Sequence, residues 1–268
     1  MTDSSSSPAI DLESLKDEAV NTISEPVNFR DLGGLPVEGG TVRSGVVFRS
    51  DDICLVPDAW ANDIVADKNI TAILDLRSES EVRVTGRGPL GNLPVAYHHY
   101  PFGGDVVVEG AVSIGTPEAL AEWYADLIEA SAPMIVSAIA GIAEESGATV
   151  FHCSAGKDRT GILAASLLAV LGASDDVIAA DYGRTGDVID GVIGRLAAAH
   201  GISPRDSRIS AFLTQEPRPP VLTADAPVMS QALTIVAARH GSLAEFIRSA
   251  GLADAHVAEL RARLVEQR

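Results

Sequence analysis

Apolar residues fall along this chain in short β-branched runs and longer helical stretches that alternate from residue 28 to about residue 171. The Gly-rich segment 28–50 (NFRDLGGLPVEGGTVRSGVVFRS) breaks into strands and turns, with 46–49 as its clearest strand. Residues 70–76 (ITAILDL) run almost uniformly apolar, the pattern of a parallel strand covered on both faces. Further strands are expected at 95–100 and 149–152. Thr116-Pro117-Glu118 opens a helix with a cap, a proline in the first turn and an acid near the positive dipole end. Pro133 interrupts its continuation, so two helices are expected up to about residue 145. A long apolar helix then runs from near Arg159 to Leu171. Beyond it, helices are expected at 175–182, 187–200, 204–213, 228–240 and 254–266, with a Pro-rich break at 217–227. Strands alternating with helices predict an α/β fold, a mainly parallel central sheet flanked by helices. Residues 1–24 are polar and Ser-rich. They read as a flexible arm around a short helix at 12–20, leaving 25–268 as a single domain.

Composition narrows the function. The chain has 268 residues, 46% of them hydrophobic and only 4% aromatic, so its core is aliphatic. Twenty basic residues against 37 acidic ones give a formal charge of −17. Such a surface repels nucleic-acid backbones and anionic lipid, which excludes a general nucleic-acid binder. The uncharged apolar stretch 160–174 is too short and Gly-rich to cross a bilayer, so no stable membrane insertion is expected. Cys54 and Cys153 are too few for a disulfide framework. The acidic, Ser-rich N-terminus lacks the basic end and apolar run of a signal peptide, and the default expectation is cytoplasmic.

The chemistry concentrates in 152–161, HCSAGKDRTG. A strand ends at His152, a tight loop comes next and a helix begins. Successive backbone N–H groups in such a loop form an anion nest, reinforced by the positive end of the helix. Cys153 lies at its base, inside that positive field, and is the candidate nucleophile. Ser154, Ala155, Gly156, Lys157, Asp158, Arg159 and Thr160 are the phosphate-binding candidates. Arg159 offers a planar fork to two phosphate oxygens, Gly156 a position free of Cβ, and Thr160 a hydroxyl for the departing sulfur.

This loop resembles the Cys-x5-Arg signature of protein tyrosine phosphatases and, more narrowly, the bacterial tyrosine phosphatase family whose loop reads HCxAGKDRTG. NFRDLGG (28–34), VVFRSDDI (46–53), ILDLRSESE (73–81), the helix carrying Tyr124, DYGRT (181–185) and HGSLAEFIRSAGL (240–252) extend the resemblance over about residues 26–265. It implies a tyrosine phosphatase-like fold, the helices of about 187–240 being a candidate lid. It also implies a cysteine-dependent phosphatase acting through a phosphocysteine on phosphotyrosine, with phosphoserine, phosphothreonine or phosphoinositides as further substrates. Inorganic phosphate is the product, and no cofactor or metal is called for. Asp158 is the acid the resemblance suggests for the leaving oxygen.

Several assignments stay open on sequence alone. Asp75, at the C-terminal end of a strand, is the main rival as acid, its alternative being to hold Arg77 or the loop; Asp105 is a weaker rival. Lys157, one of three lysines, is either a cation at the pocket rim that favours multiply phosphorylated substrates or a solvated loop charge. His152 fixes the loop through hydrogen bonds. Asn28, Arg30, Asp31 and Arg49 are expected to brace it from behind. Cys54 is either a partner for a reversible disulfide with Cys153 or an ordinary apolar residue. The competing function is an inactive module that binds a phosphopeptide or phosphoinositide head group; sulfur or arsenate chemistry on a similar thiolate loop ranks last.

Overall fold

The computed structural model describes residues 23–103, 114–199, 214 and 216–267. Residues 1–22 of the expected arm with its helix at 12–20, the helix at 204–213 and Asp105 lie outside them. The described strands are β1 (Arg30–Asp31), β2 (Pro36–Val37), β3 (Gly40–Val42), β4 (Val47–Ser50), β5 (Ile70–Asp75), β6 (Ala96–His99), β7 (Ala148–His152) and β8 (Val265–Gln267). The central sheet has the order β1-β4-β7-β5-β6; β4, β7, β5 and β6 are parallel and only the short β1 is antiparallel. Alternate side chains serve two cores. Val47, Leu74 and Phe151 enter the larger cluster, whereas Phe48, Ile73 and Val150 enter the smaller one on the opposite face. Both faces are therefore dry, and the strands read as continuous apolar runs.

The described helices are α1 (Asp58–Asp67), α2 (Glu79–Thr85), α3 (Pro117–Ala130), α4 (Ala132–Glu144), α5 (Asp158–Val170), α6 (Asp175–Gly183), α7 (Ile189–Ala199), α8 (Ala226–His240), α9 (Leu243–Ser249) and α10 (Asp254–Leu264). Helix α3 starts as its sequence predicts, with the Thr116 hydroxyl accepting from Ala119 N at 3.2 Å. Pro133 sits in the first turn of α4, and α3 and α4 meet at a 71° bend. Among the described residues no single helix is long and apolar enough to cross a membrane. Helix α5 is buried on nearly every side, which explains why its sequence shows no polar stripe. Helix α8 packs on α3 and α6 and buries Val228, Met229, Ala232, Leu233 and Val236, so that part of the candidate lid is built into the core.

Three helices were not expected: α1, α2 and α9. The first is a mixed apolar–acidic run without periodicity, and the other two have only two turns each. The helix expected over 254–266 ends at Leu264. Val265–Gln267 turns extended and pairs antiparallel with β3, completing a second sheet of order β2-β3-β8. Gly40 permits this approach, because a Cβ there would lie 2.0 Å from the Glu266 carbonyl oxygen.

Register decides where the site lies. Ser50 and Asp75 both pair with His152, and His99 pairs with Asp75, so four strands end in one row. The loops leaving them converge at this edge, where ligands collect in parallel sheets. Replacing Gly40 with Ala should push β8 off the second sheet. A loss of about 1–3 kcal/mol in urea denaturation, with loss of amide protection at 265–267, is expected.

Candidate active site

Cys153 directly succeeds β7 and is 1% exposed. The loop from it to α5 is shaped by carbonyls that are pulled outward. The Asp52 N–H donates to Ser154 O at 3.0 Å; Gly156 O accepts from Asn28 Nδ2 at 3.1 Å and Arg49 Nη2 at 2.9 Å. Because a trans peptide sets its C=O and N–H on opposite sides, the Ala155 and Lys157 N–H groups are turned the other way. Gly156 has φ +66°, and a Cβ there would meet Asp51 N and Ser50 O at 2.5 Å. No other residue fits.

The braces are themselves held. Arg49 Nη1 and Arg30 Nε pair with the two oxygens of Asp181, at 2.5 and 3.0 Å. Burial by itself would raise the Asp181 carboxyl, but the charges of Arg49 and Arg30 hold it below the usual range. Burial and the neighbouring Arg49 bring the Arg30 guanidinium down to about 10. Arg30 also donates to Asn28 Oδ1. Asn28, Arg30 and Arg49 thus stand behind the loop as expected. Asp31 does not: its oxygens accept from Gly33 N and Gly45 N and close a turn outside the site.

Arg159 is buried against a residue that sequence reasoning missed. Glu81 takes Nη1 at 2.5 Å and Nη2 at 2.8 Å, and also accepts from Ser154 Oγ at 2.6 Å and Ser78 N at 2.7 Å. Leu76 O lies 3.5 Å from Nη1. By count of donors, the Nε–Nη2 edge of the guanidinium stays unengaged among the described residues, a fork for two oxygens of an anion. Burial alone would raise Glu81, but the Arg159 hydrogen bonds and charge pull it down to about 2. Ser78 and Glu81 form a reciprocal capping box that starts α2. That Ser-x-x-Glu spacing was visible in the sequence; the ion pair to Arg159, 78 positions away, was not.

Asp158 is the first residue of α5. Its Oδ1 accepts from the Tyr124 hydroxyl at 2.5 Å and lies 3.1 Å from Lys157 Nζ. Tyr124 in turn meets the Tyr182 hydroxyl at 2.6 Å. Lys157 is neither a rim cation nor solvated. It is 1% exposed, with Nζ donating to Val221 O at 2.9 Å and Pro220 O at 3.4 Å besides its contact with Asp158. The Thr160 hydroxyl is buried and has no hydrogen-bond partner among the described residues.

Asp75 is a structural anchor and no rival as acid. It accepts from Arg77 Nε at 2.9 Å, Arg77 Nη2 at 2.6 Å, Arg77 N at 3.0 Å and the Tyr97 hydroxyl at 2.8 Å. Burial would raise its carboxyl, but the nearby His152 and the Arg77 bonds hold it far below the usual range, so it carries no proton to give. Arg77 also reaches Asp52 Oδ2 at 3.0 Å and Cys54 Sγ at 3.1 Å. Ligand atoms of Cys54, Asp75 and His152 lie within 4.8 Å of one another, yet the Arg77 guanidinium already bonds two of the three, so the cluster does not suit a metal cation. Burial and the adjacent Asp52 push the Cys54 thiol well up, which keeps it a protonated packing group. His152 Nδ1 lies 3.2 Å from its neighbour's carbonyl, Cys153 O, consistent with a bracing role.

The sequence profile of the tyrosine phosphatase family matches residues 21–266. The chain belongs to that family. A Cupriavidus necator protein provisionally named a tyrosine-protein phosphatase is 29% identical over 94% of this chain and 90% of its own length. The triple specificity protein phosphatase PtpB of Mycobacterium tuberculosis is 26% identical over 92% of this chain and 99% of its own. Among solved structures, TpbA of P. aeruginosa in complex with pTyr matches 73% of this chain and 90% of that one at 14% identity, with a TM-score of only 0.26. The chain is a protein-tyrosine phosphatase, and its Cys-x5-Arg loop sits on the scaffold described above.

The Glu81–Arg159 pair also sets a pH dependence. The folded carboxyl lies below its ordinary 4.5, so its stabilisation is present above about pH 4.5 and disappears as the pH falls towards 2. Replacing Glu81 with Gln should therefore flatten denaturant-measured stability between pH 5 and pH 2. It should also cut kcat/KM for an aryl phosphate about tenfold at neutral pH, as the fork loses its orientation.

Proposed function

We propose that this phosphatase hydrolyses phosphotyrosine through a phosphocysteine on Cys153, with Arg159 as the phosphate fork and Asp158 as the acid. One observation carries the reading: the outward-pinned carbonyls of Ser154 and Gly156 leave a loop whose N–H groups, with the free edge of Arg159, suit a tetrahedral dianion beside a nucleophilic sulfur. The thiolate attacks phosphorus and an S–P bond forms. As the P–O bond to the tyrosine breaks, its electron pair goes to the phenolic oxygen, which takes the Asp158 proton. Water then attacks the phosphocysteine, Asp158 takes a proton from it, and the S–P bond breaks with the Thr160 hydroxyl, which has no partner among the described residues, available to the sulfur. Inorganic phosphate leaves, and no cofactor enters either step. Phosphoserine and phosphothreonine have poorer leaving groups and lean harder on the acid.

The state of Lys157 bears on substrate class. It is buried, with Nζ turned to the carbonyls of Pro220 and Val221 and away from a second phosphate, and the chain's charge of −17 opposes approach to anionic lipid. A phosphotyrosine peptide should be turned over at least about tenfold faster than a soluble short-chain phosphoinositide bisphosphate. Equal rates would overturn that preference.

Phosphate release from a phosphotyrosine peptide should vanish in Cys153→Ser; turnover that survives would refute the covalent route, and a wild type that binds phosphopeptide without turnover would favour the inactive binding module. Asp158→Asn should slow phenyl phosphate about 100-fold or more while sparing p-nitrophenyl phosphate, whose anion leaves unaided. Asp75→Asn should cost about 3 kcal/mol of stability, since it strips a buried arginine of its partner, and show no such leaving-group selectivity.

A further inference from the structure

The two oxygens of the Asp158 carboxyl have unequal surroundings. Oδ1 takes the Tyr124 hydroxyl and lies against Lys157 Nζ, whereas Oδ2 has no partner among the described residues. Tyr124 has a single hydroxyl hydrogen and donates it to Asp158, so the 2.6 Å contact with Tyr182 is made by the Tyr182 hydrogen. The chain of donors runs one way, from Tyr182 to Tyr124 to Asp158. Both rings are buried and meet edge to face with centroids 5.8 Å apart. They come from α3 and α6, two helices that α8 packs against together. On α5, Gly161 lets the Tyr182 ring approach: a Cβ there would already stand 3.0 Å from its Cδ2. Burial pushes both phenols well above their ordinary pKa, so both remain donors.

We infer that Tyr124, backed by Tyr182, is a positioning residue for proton transfer by Asp158; the inference rests on the reading of Asp158 as the acid. The Tyr124 hydroxyl donor and the Lys157 ammonium charge both meet Oδ1, and together they disfavour a proton on that oxygen. The transferable proton therefore resides on Oδ2, the oxygen without a partner among the described residues. The same two contacts fix the rotation of a side chain at the first position of a helix. A 1 Å misplacement of such a group is costly, because proton transfer needs heavy atoms within about 3 Å. When the leaving oxygen takes the Oδ2 proton, the O–H electron pair stays on Asp158. The new negative charge is then met by the Tyr124 hydroxyl and the Lys157 ammonium. In the second half of the cycle water returns a proton to the same Oδ2.

The test compares wild type, Asp158→Asn, Tyr124→Phe and Tyr182→Phe on phenyl phosphate and p-nitrophenyl phosphate, with inhibition by inorganic phosphate as the check on the loop. Tyr124→Phe should lower kcat on phenyl phosphate about tenfold more than on p-nitrophenyl phosphate, with phosphate inhibition within about twofold of wild type. Tyr182→Phe should show the same selectivity to a smaller degree. Equal losses on both substrates, or no loss, would overturn the positioning role if Asp158→Asn is itself selective. An Asp158→Asn variant without selectivity would remove the acid reading instead. Should Tyr124→Phe fail to fold, Tyr182→Phe decides: selective loss supports the inference and its absence refutes it.

Discussion

A loop that is to hold a dianion has to keep its peptide N–H groups facing one point before any anion arrives. Left to itself such a short turn would relax, because parallel N–H dipoles repel and its carbonyls would compete for them. Here the carbonyls are removed from that competition. Ser154 O is tied to the Asp52 N–H, and Gly156 O to Asn28 and Arg49, from β4 and the segments flanking the sheet edge. Much of the surrounding polar structure serves that arrangement. Arg49 needs Asp181, Asp181 brings in Arg30, and Arg30 fixes Asn28.

Buried charge in such quantity is a poor source of net stability, since each ion gives up several kcal/mol of hydration. Its value here is geometric. Arg49, Arg77 and Arg159 are all buried, and each is matched to a carboxylate that also touches the loop or a neighbouring strand end. Asp75 and Glu81 illustrate the division of labour. Both are held ionised below the ordinary range by arginine, which makes them anchors and unfits them for proton donation. Asp158 faces a phenol and an ammonium on one oxygen only, and it alone of the three keeps an oxygen without a protein partner among the described residues.

Much of the fold was legible in the sequence, where periodicity is strong. The β-branched runs at β5 and β7, the capped start of α3, the break at Pro133 and the apolar α5 all lie where their patterns place them. The misses have local causes. Helices α2 and α9 have two turns each, too short for a periodic signal, and α2 betrays itself only through its capping box. The last three residues before the C-terminus of the described chain form a strand because β3 offers a free edge and Gly40 lets it close in. No property of residues 265–267 themselves announces this.

The sequence by itself determined the chemistry of the loop: a cysteine at the end of a buried strand, a glycine where φ is positive, and an arginine six positions on at a helix start. These are nearest-neighbour facts, set within a short span of chain. Only the tertiary structure decided what the charged residues around it do. Lys157 turns away to the carbonyls of Pro220 and Val221, Asp75 is consumed by Arg77, and Glu81 reaches from a short helix to orient Arg159. A charged side chain can ionise, pair or hydrogen-bond in any of these ways at similar cost in water. Which one it adopts depends on the partners that the fold carries to it once water is removed.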